Sequence, residues 1–292
     1  MKKILITGAN SYIGTSFEKY VSQHYSNQLI TDTVDMLDDT WREKDFGLYD
    51  AVFHVAGIAH ADVGTVDEET KAKYYAVNAD LAIETCKKAK IDGVKQFVLM
   101  SSMIIYGKET HITRDTEPHP ANFYGDSKWS ADKGVRELAD NNFIVTVLRP
   151  PMIYGKGSKG NYPVLSKLAR KVPIFPNYYN KRSMLYIENL CEFLCCVMIR
   201  NRGGIFWPQN AEYSSTSQIV KEIATVSDRH VRVMKILNPA VSIAKVFPIR
   251  KIKNLANKAF GDSWYDMEMS KYDDLDYQIV SLSDSIIRTE RE

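Results

Sequence analysis

The chain has 292 residues, a length that corresponds to one large α/β domain or about two smaller domains. Its 38 Lys and Arg residues nearly balance 36 Asp and Glu residues, so the net charge of +2 gives no overall field that would attract nucleic acid or a membrane. The hydrophobic content of 45% and the charged content of 25% are those of a globular protein and exclude extensive disorder.

The cysteines and the apolar segments indicate the compartment. None of the four cysteines is part of a CxxC pair, which favours reduced core thiols in a cytoplasmic protein. The apolar part of MKKILITGAN is too short for a signal peptide, and the run 193–199 is far below the ~20 residues that a membrane span needs. The six histidines show no HxH or HExxH spacing, so we expect no metal site.

Strand and helix patterns alternate up to residue 150. The predicted strands are 3–7, 29–34, 51–55, 96–100 and 144–148, and the predicted helices are 17–23, 74–90 and 127–138. Strands that alternate with helices form a parallel sheet with right-handed crossovers. The sequence therefore predicts an α/β domain over residues 1–150.

The pattern changes after residue 150. Glycines and prolines cluster from 150 to 176, and a helix near 188–200 and a strand near 204–207 follow. We expect residues 151–292 to form mainly a smaller lobe over the carboxyl edge of the sheet, with some segments that return to the sheet.

Charge is distributed unevenly over the last 64 residues. Between Arg229 and Gly261 there are eight Lys and Arg residues and no Asp or Glu, whereas 262–292 holds nine acids and three bases. Apolar residues at 249, 252, 255, 256 and 259 share one face of a helix. This helix either packs with a solvated basic face or contacts a membrane surface.

A loop from Gly8 to Gly14 follows the first predicted strand and begins the first helical segment. The pyrophosphate of a dinucleotide needs backbone N–H groups at a helix N-terminus and no obstructing side chains. Gly8 permits the tight turn and Gly14 permits close helix–strand packing, while Ser11 occupies the usual place of a middle glycine. The loop predicts a dinucleotide site.

An acid at the end of the second strand would bind the adenosine ribose hydroxyls and disfavour a 2′-phosphate. Asp32 and Asp35 both lie near the required offset, and each has a surface carboxylate as its alternative interpretation. We favour Asp35 as the ribose ligand and NAD as the cofactor, with NADP left open.

Tyr124 and Lys128 form a YxxxK pair near a helix start. One helical turn places them on the same face, about 5–6 Å apart at the Cβ atoms. A free tyrosine has a pKa of about 10, and a neighbouring ammonium together with the nicotinamide charge would favour the phenolate. A hydroxyl that shares the substrate oxygen is available in Ser101-Ser102, directly after the strand at 96–100.

In combination, these residues resemble the extended short-chain dehydrogenase/reductase family, which includes nucleotide-sugar epimerases, dehydratases and reductases. The resemblance covers about residues 1–210 and rests on TGANSYIG (7–14), FHVAG (53–57), Asn78, SSMIIYG (101–107), YGDSK (124–128), RPPMIYG (149–155) and RSMLYIENL (182–190). It implies a Rossmann-type, doubly wound parallel sheet that binds NAD(P) and a smaller C-terminal lobe that holds a sugar nucleotide, most simply a UDP-sugar.

The resemblance also implies roles for individual residues. The expected catalytic residues are Ser102, Tyr124 and Lys128. The expected cofactor-binding residues are Gly8, Asn10, Ser11, Tyr12, Ile13, Gly14, Asp35, Asp45, Phe46, Val55, Ala56, Gly57, Asn78, Tyr124, Lys128 and Pro151, with Asp45 and Phe46 as the pair that reads adenine. The expected substrate-binding residues are Ser102, Met103, Asn161 and Arg182, the last of which would clamp the diphosphate.

The implied reaction moves a hydride between the sugar C4 and the nicotinamide. Tyr124 would exchange the hydroxyl proton, Ser102 would hold that oxygen, and Lys128 would lower the tyrosine pKa. An epimerase returns the hydride to the other face of the sugar, whereas a reductase releases its product after one transfer. Met152 replaces an asparagine of many epimerases, and Ile58-Ala59-His60 is closer to reductases of UDP-4-keto-6-deoxy-hexosamines, so both reactions stay open.

Two other readings are weaker. A dehydratase needs a further acid/base pair beside the serine, where this chain has Met103 and Ile104. A non-catalytic NAD(P)-binding sensor or scaffold of the same fold is disfavoured because Ser102, Tyr124 and Lys128 are all present. The resemblance allows a homodimer and predicts neither a nucleic-acid partner nor a membrane span.

Overall fold

The computed structural model describes residues 1–58 and 66–291. Its strands are β1 Lys2–Thr7, β2 Leu29–Val34, β3 Ala51–His54, β4 Gln96–Met100, β5 His111–Ile112, β6 Ile144–Leu148, β7 Met152–Tyr154, β8 Ile174–Pro176, β9 Met184–Tyr186, β10 Gly204–Phe206, β11 Arg232–Met234 and β12 Trp264–Tyr265. Its helices are α1 Tyr12–His24, α2 Glu68–Tyr75, α3 Leu81–Ile91, α4 Phe123–Arg136, α5 Asn161–Ala169, α6 Ile187–Ile199, α7 Thr216–Val226, α8 Asn238–Val246, α9 Arg250–Phe260 and α10 Leu282–Arg291.

A parallel sheet of six strands organises the molecule, in the order β10-β6-β4-β3-β1-β2. The five strands predicted up to residue 150 all form, with bounds within one residue of the prediction. Strands β3 and β4 are buried along their whole length, as parallel strands covered on both faces are. The predicted α/β fold with a doubly wound parallel sheet is confirmed.

The sheet lacks the strand that the usual doubly wound order places outside β2. The chain between β2 and β3 instead forms two short 3₁₀ helices, Asp39–Arg42 and Phe46–Leu48. Trp41 and Phe46 from this segment are fully buried in the core on that side of the sheet. Two aromatic side chains therefore fill a volume that a longer connection would cover.

Helices α1 and α4 begin earlier than the apolar pattern predicts. The side chain of Ser11 accepts the backbone N–H of Gly14 at 3.2 Å, and that of Asn122 accepts the N–H of Gly125 at 2.9 Å. Both caps satisfy N–H groups that a helix start leaves free. The helix predicted at 74–90 is α2 and α3 joined by a π-helical segment, Ala76–Asp80.

The chain after residue 150 returns to the main sheet twice. Strand β10 pairs with β6, and α6 is buried against the sheet beside α1. All four cysteines are buried free thiols, as predicted, and three of them lie in α6. Three two-stranded sheets, β7–β9, β8–β11 and β5–β12, lie over the carboxyl edge. All of their strands except β5 come after residue 150. Within the described ranges, no helix has the length and apolar character needed to cross a membrane.

Candidate active site

The turn after β1 can be formed only by glycine at position 8. Gly8 has φ of +100°, and a Cβ built there would lie 2.9 Å from the backbone N and Cα of Ala56. The Gly8 N–H donates to the carbonyl of Val34 at 3.0 Å. This turn is therefore fixed between the carboxyl ends of β2 and β3, where a doubly wound fold binds its ligand.

Ser11 has a structural role at the position where a glycine is usual. Its side chain caps α1, and a Cβ on Gly14 would lie 2.7 Å from the Ser11 Oγ and 3.3 Å from Ile6. Asn10 adopts a left-handed conformation with φ of +62°, and Ile13 packs against the core. The loop thus presents the first turn of α1 to the carboxyl edge, as a pyrophosphate site requires.

Tyr12 connects the loop to the lobe that follows β7. A Cβ on Gly155 would lie 2.7 Å from the Tyr12 hydroxyl oxygen. That hydroxyl is buried and has no hydrogen-bond partner within residues 1–58 and 66–291, and burial raises the pKa of Tyr12. An orphaned buried hydroxyl beside the phosphate loop fits a site that holds a polar ligand. Pro151, also buried, precedes β7 on the same segment.

The two candidate acids of β2 have different surroundings. Asp32 accepts hydrogen bonds from Lys44 and Tyr49, and these partners lower the pKa of Asp32. Asp35 follows the last residue of β2, is exposed, and accepts the N–H of Leu37 at 3.0 Å. Because Asp35 has no ion-pair partner in the described part of the chain, its carboxylate is the one open to a ribose.

The two residues of the expected adenine pair, Asp45 and Phe46, lie at the start of the second 3₁₀ helix between β2 and β3. Asp45 is exposed and caps the short helix Phe46–Leu48 by accepting the N–H of Gly47 at 2.8 Å. Phe46 is 0% exposed, and the Lys88 ammonium lies 4.9 Å from its ring centroid. Because the Phe46 ring is buried in the core, a contact with adenine would have to come from Asp45 or from the backbone, and the prediction that this pair reads adenine stays a prediction.

The loop after β3 approaches α4 closely at Gly57. A Cβ on Gly57 would lie 3.0 Å from the Asn78 Oδ1 and 3.3 Å from the Lys128 Nζ. Asn78, buried in the π-helical segment, accepts the N–H of Ile58 at 2.8 Å and donates to Ser127 Oγ at 3.2 Å. Asn78 thus holds the loop that contains Val55, Ala56 and Gly57 against α4. Ala59 and His60 lie outside the described residues.

The YxxxK pair lies in the first two turns of α4. Lys128 is buried and its Nζ donates to the carbonyl of Met100, the last residue of β4, at 3.0 Å. Tyr124 is half-buried, with its ring centroid 6.0 Å from that of Tyr74. Both side chains are therefore held at the carboxyl edge of the central sheet, next to the loop at Gly57.

The pKa values of Tyr124 and Lys128 differ from those that the sequence led us to expect. Burial, together with the neighbouring Tyr74, raises the pKa of Tyr124 to about 12, and burial lowers the pKa of Lys128 to about 8. The predicted lowering of the tyrosine pKa by the lysine is wrong for the protein's own groups, because desolvation dominates and the ammonium is committed to Met100. The positive nicotinamide charge, the second cause that the sequence suggested, acts against this desolvation.

Ser102 lies on the turn that contacts the start of α4. Its Oγ accepts the N–H of Ile104 at 3.2 Å and caps the 3₁₀ helix Met103–Tyr106. A Cβ on Gly125 would lie 3.0 Å from the Ile104 carbonyl oxygen, so glycine lets α4 approach this turn. The structure brings Ser102, Tyr124 and Lys128 onto two elements in contact.

A buried polar network beneath these residues was missed in the sequence. Arg149 binds both carboxylate oxygens of Asp132 at 2.9 Å, and Asp132 also accepts the Ser101 hydroxyl at 3.0 Å. Arg149 donates to the hydroxyl of Tyr106 at 2.8 Å as well. The network ties the ends of β4 and β6 to α4. The available signal was Asp132, one helical turn beyond Lys128 on the same face.

Arg182, expected to clamp the substrate, is partly engaged by the protein. Its Nη2 donates to the carbonyl of Lys258 at 2.6 Å and its Nε to that of Gly261 at 3.1 Å, so it caps the C-terminus of α9. Its Nη1 has no partner within the described residues. The backbone of Arg182 bridges to Ser263, whose hydroxyl donates to the Met103 sulfur at 3.1 Å.

Asn161 is the first residue of α5 and is half-buried. Arg182 and Met103, linked through Ser263, share one region beside Ser102.

Comparison with known proteins identifies the family to which this chain belongs. Residues 4–206 match the model of the NAD dependent epimerase/dehydratase family. A UDP-glucose 4-epimerase of Vibrio cholerae is 28% identical over 253 residues, which cover 78% of this chain and 76% of that protein. The N-acetyl-alpha-D-glucosaminyl-diphospho-ditrans,octacis-undecaprenol 4-epimerase of Escherichia coli O157:H7 is 29% identical over 210 residues, 65% of this chain and 61% of that protein.

Solved structures share the fold over nearly the whole chain. The UDP-N-acetylglucosamine 4-epimerase of Bacillus cereus superposes with a TM-score of 0.77 at 15% identity and covers 99% of this chain and 98% of that one. The UDP-glucuronic acid 4-epimerase of Bacillus cereus in complex with NAD gives 0.73 at 17% identity, over 99% and 95% of the two chains.

Proposed function

Because the chain belongs to the NAD-dependent epimerase/dehydratase family, we propose that it interconverts the C4 epimers of a UDP-linked sugar. The observation that carries the proposal is the placement of Ser102, Tyr124 and Lys128 at the carboxyl edge of the sheet, beside the loop at Gly57. The relatives named as 4-epimerases of UDP-glucose and of a diphosphate-linked sugar support C4 as the reacting carbon.

Each of these residues then has a chemical task. Tyr124 would exchange a proton with the sugar O4: as the phenolate it takes the hydroxyl proton while a hydride leaves C4, and as the phenol it returns that proton when the hydride is returned. The positive charge of bound nicotinamide would favour the phenolate against the burial that raises the pKa of Tyr124 to about 12. Ser102 donates a hydrogen bond to the same oxygen. Lys128 is held by Met100 where it can bind the nicotinamide ribose. NAD, when bound, supplies a hydride acceptor for the sugar C4.

The cofactor is held by the chain's own loop and acid. We assign the pyrophosphate to the backbone of residues 8–14 and the adenosine ribose to Asp35. The orphaned Tyr12 hydroxyl and the turn at Gly8, where a Cβ would meet Ala56, support this placement.

One incubation separates an epimerase from a reductase. The protein is mixed with UDP-glucose, UDP-galactose and their N-acetylated forms, and separately with a UDP-4-keto-6-deoxy-hexosamine, each with and without added NADPH, and the sugars are identified by NMR. Formation of the C4 epimer without loss of NADPH supports the epimerase. Stoichiometric loss of NADPH with a 4-keto sugar supports the reductase, the second reaction that the sequence leaves open.

A second candidate substrate carries its sugar on a lipid diphosphate, as the Escherichia coli relative's name describes. The observation that favours it is a helical hairpin with uncovered aliphatic side chains, α8 and α9, whose end is bound by Arg182. Parallel assays with UDP-N-acetylglucosamine and with an undecaprenyl-diphosphate-linked N-acetylglucosamine decide between the carriers by the ratio of their kcat/KM values.

The remaining expectations are also proposals. We assign residues 1–150 to cofactor binding and 151–292 mainly to the substrate, although β10 lies in the main sheet. A cytoplasmic location agrees with four buried free thiols. A homodimer is tested by light scattering of the purified chain.

A further inference from the structure

The hairpin of α8 and α9 exposes a concentration of aliphatic side chains. Six of them lie within 20 residues and are 41% to 78% exposed: Ile236, Ile243, Val246, Ile249, Ile252 and Leu255. Ile243 and Val246 are three residues apart in α8, and Ile249, Ile252 and Leu255 follow one another at three-residue spacing from the N-cap of α9 onward. A surface of this kind on an otherwise ordinary globular protein marks a contact with another body.

The charged residues of the same hairpin are all positive. All eight charged residues between Arg229 and Gly261 are Lys or Arg. Lys251 and Lys258 lie four residues before and three residues after Leu255, so they flank it on the surface of α9. Positive charge and exposed aliphatic side chains therefore occupy one continuous surface, although the whole chain carries only +2.

The hairpin is a built element and not a loose tail. Val241 and Ala256 are buried, and Asn257 donates to the carbonyl of Lys245 at 3.0 Å. Lys245 in turn donates to the carbonyl of Phe260 at 3.3 Å, and Arg182 caps the end of α9. The exposed aliphatic face is thus held in a fixed orientation by bonds on its other side.

We propose that this hairpin, residues 235–260, docks on the surface of an anionic lipid bilayer. Aliphatic side chains that alternate with lysines on a helix suit the headgroup boundary, where lysines meet phosphates and aliphatic chains enter the acyl region. A protein partner is disfavoured because protein interfaces are depleted of lysine and enriched in aromatic residues at their centre. The docking does not require the proposed reaction.

Sedimentation with vesicles tests the proposal on the full chain. We expect binding to vesicles of 30% phosphatidylglycerol in phosphatidylcholine, weaker binding at high salt, and none to pure phosphatidylcholine. Ile252→Ser with Leu255→Ser should weaken binding about tenfold or more, since the apolar insertion is lost. Lys251→Gln with Lys253→Gln should weaken it roughly 25-fold, at about 1 kcal/mol for each basic residue.

Two double variants serve as controls. They remove exposed apolar area or positive charge at a site away from the hairpin. Leu48→Ser with Ile91→Ser, and Lys87→Gln with Lys95→Gln, replace exposed residues on the sheet domain and should bind vesicles as the unmodified chain does. Thermal melts verify that all variants fold. Equal binding by all variants, or no preference for anionic vesicles, would overturn the proposal. So would a dimer that dissociates in the Ile252→Ser, Leu255→Ser chain, because the surface would then join two copies.

Discussion

Tyr124 combines a position beside Ser102 with surroundings that keep its phenol protonated. Burial raises its pKa to about 12, so the group can donate a proton to a sugar oxygen near neutral pH. Tyr124→Phe removes only the hydroxyl, and we expect kcat to fall by about 10²–10⁴-fold. NAD affinity should stay within about twofold because the loop at residues 8–14 is unchanged. Steady-state rates and NAD titration measure both, and near-normal turnover would contradict the assignment.

The two acids of β2 offer a direct comparison. Asp35 carries an exposed carboxylate at the strand end, whereas the Asp32 carboxylate is bound by Lys44 and Tyr49. We expect NAD to bind more tightly than NADP, because a 2′-phosphate would meet the negative charge of Asp35.

Asp35→Asn should remove most of this preference, and Asp32→Asn, the matched control, should leave it unchanged. Calorimetric titration of each variant with both cofactors measures the ratio of dissociation constants. Tighter binding of NADP by tenfold in the unmodified chain would refute the role of Asp35.

The π-helical segment between α2 and α3 contains the buried amide side chain of Asn78. Asn78 bonds both the N–H and the carbonyl of Ile58 and also reaches Ser127, so it joins the loop after β3 to α4. Asn78→Ala leaves these buried groups unpaired, and we expect the free energy of unfolding to fall by about 1–3 kcal/mol. NAD affinity should fall too, because Gly57 is no longer held near Lys128.

Asn142→Ala, on an exposed turn, serves as the control and should change neither the free energy of unfolding nor the NAD affinity. Chemical denaturation and NAD titration are the measurements. Unchanged NAD affinity in a destabilised Asn78→Ala chain would restrict this residue to a structural role.

The end of α9 depends on a side chain from the β9 region. Arg182→Ala removes two charge-assisted bonds to carbonyls, so we expect the free energy of unfolding to fall by roughly 2 kcal/mol. Loss of the free Nη1 should also weaken binding of a UDP-sugar by roughly 2–4 kcal/mol, with NAD binding unaffected.

Lys181→Ala removes the same charge one residue earlier, where the ammonium lies 3.3 Å from the Trp264 ring centroid. It should change UDP-sugar affinity much less. Equal losses for the sugar nucleotide and NAD in Arg182→Ala, or no loss for either, would retire the diphosphate assignment.

The elements differ in how far the sequence could predict them. The strands of the main sheet were predictable because each is a short apolar run ended by polar or glycine residues. The starts of α1 and α4 were not, since polar caps such as Ser11 and Asn122 precede any apolar periodicity. The Arg149–Asp132 pair and the bonds of Arg182 join residues 17 and about 77 positions apart, and local patterns carry no information about such pairing.

At the scale of the whole molecule, the fold agrees with the family whose model the chain matches. This NAD-dependent enzyme has one parallel sheet whose carboxyl edge carries the phosphate loop, the YxxxK pair and Ser102. The lobe over that edge supplies Arg182, which binds the end of the basic hairpin. The sequence predicted the strands that form this edge, but not that the lobe would contact the turn at Ser102 through Ser263 and Met103.

We propose above that Ser102, Tyr124 and Lys128 act on the C4 of a UDP-sugar. The most direct measurement follows UDP-glucose and UDP-N-acetylglucosamine by NMR in the presence of the NAD-saturated protein, with Tyr124→Phe in parallel. We expect that the C4 epimer of at least one substrate accumulates to equilibrium without net consumption of cofactor, and that Tyr124→Phe forms it at least about 100-fold more slowly. Equal rates for the two proteins, or no epimer from any UDP-sugar, would contradict it.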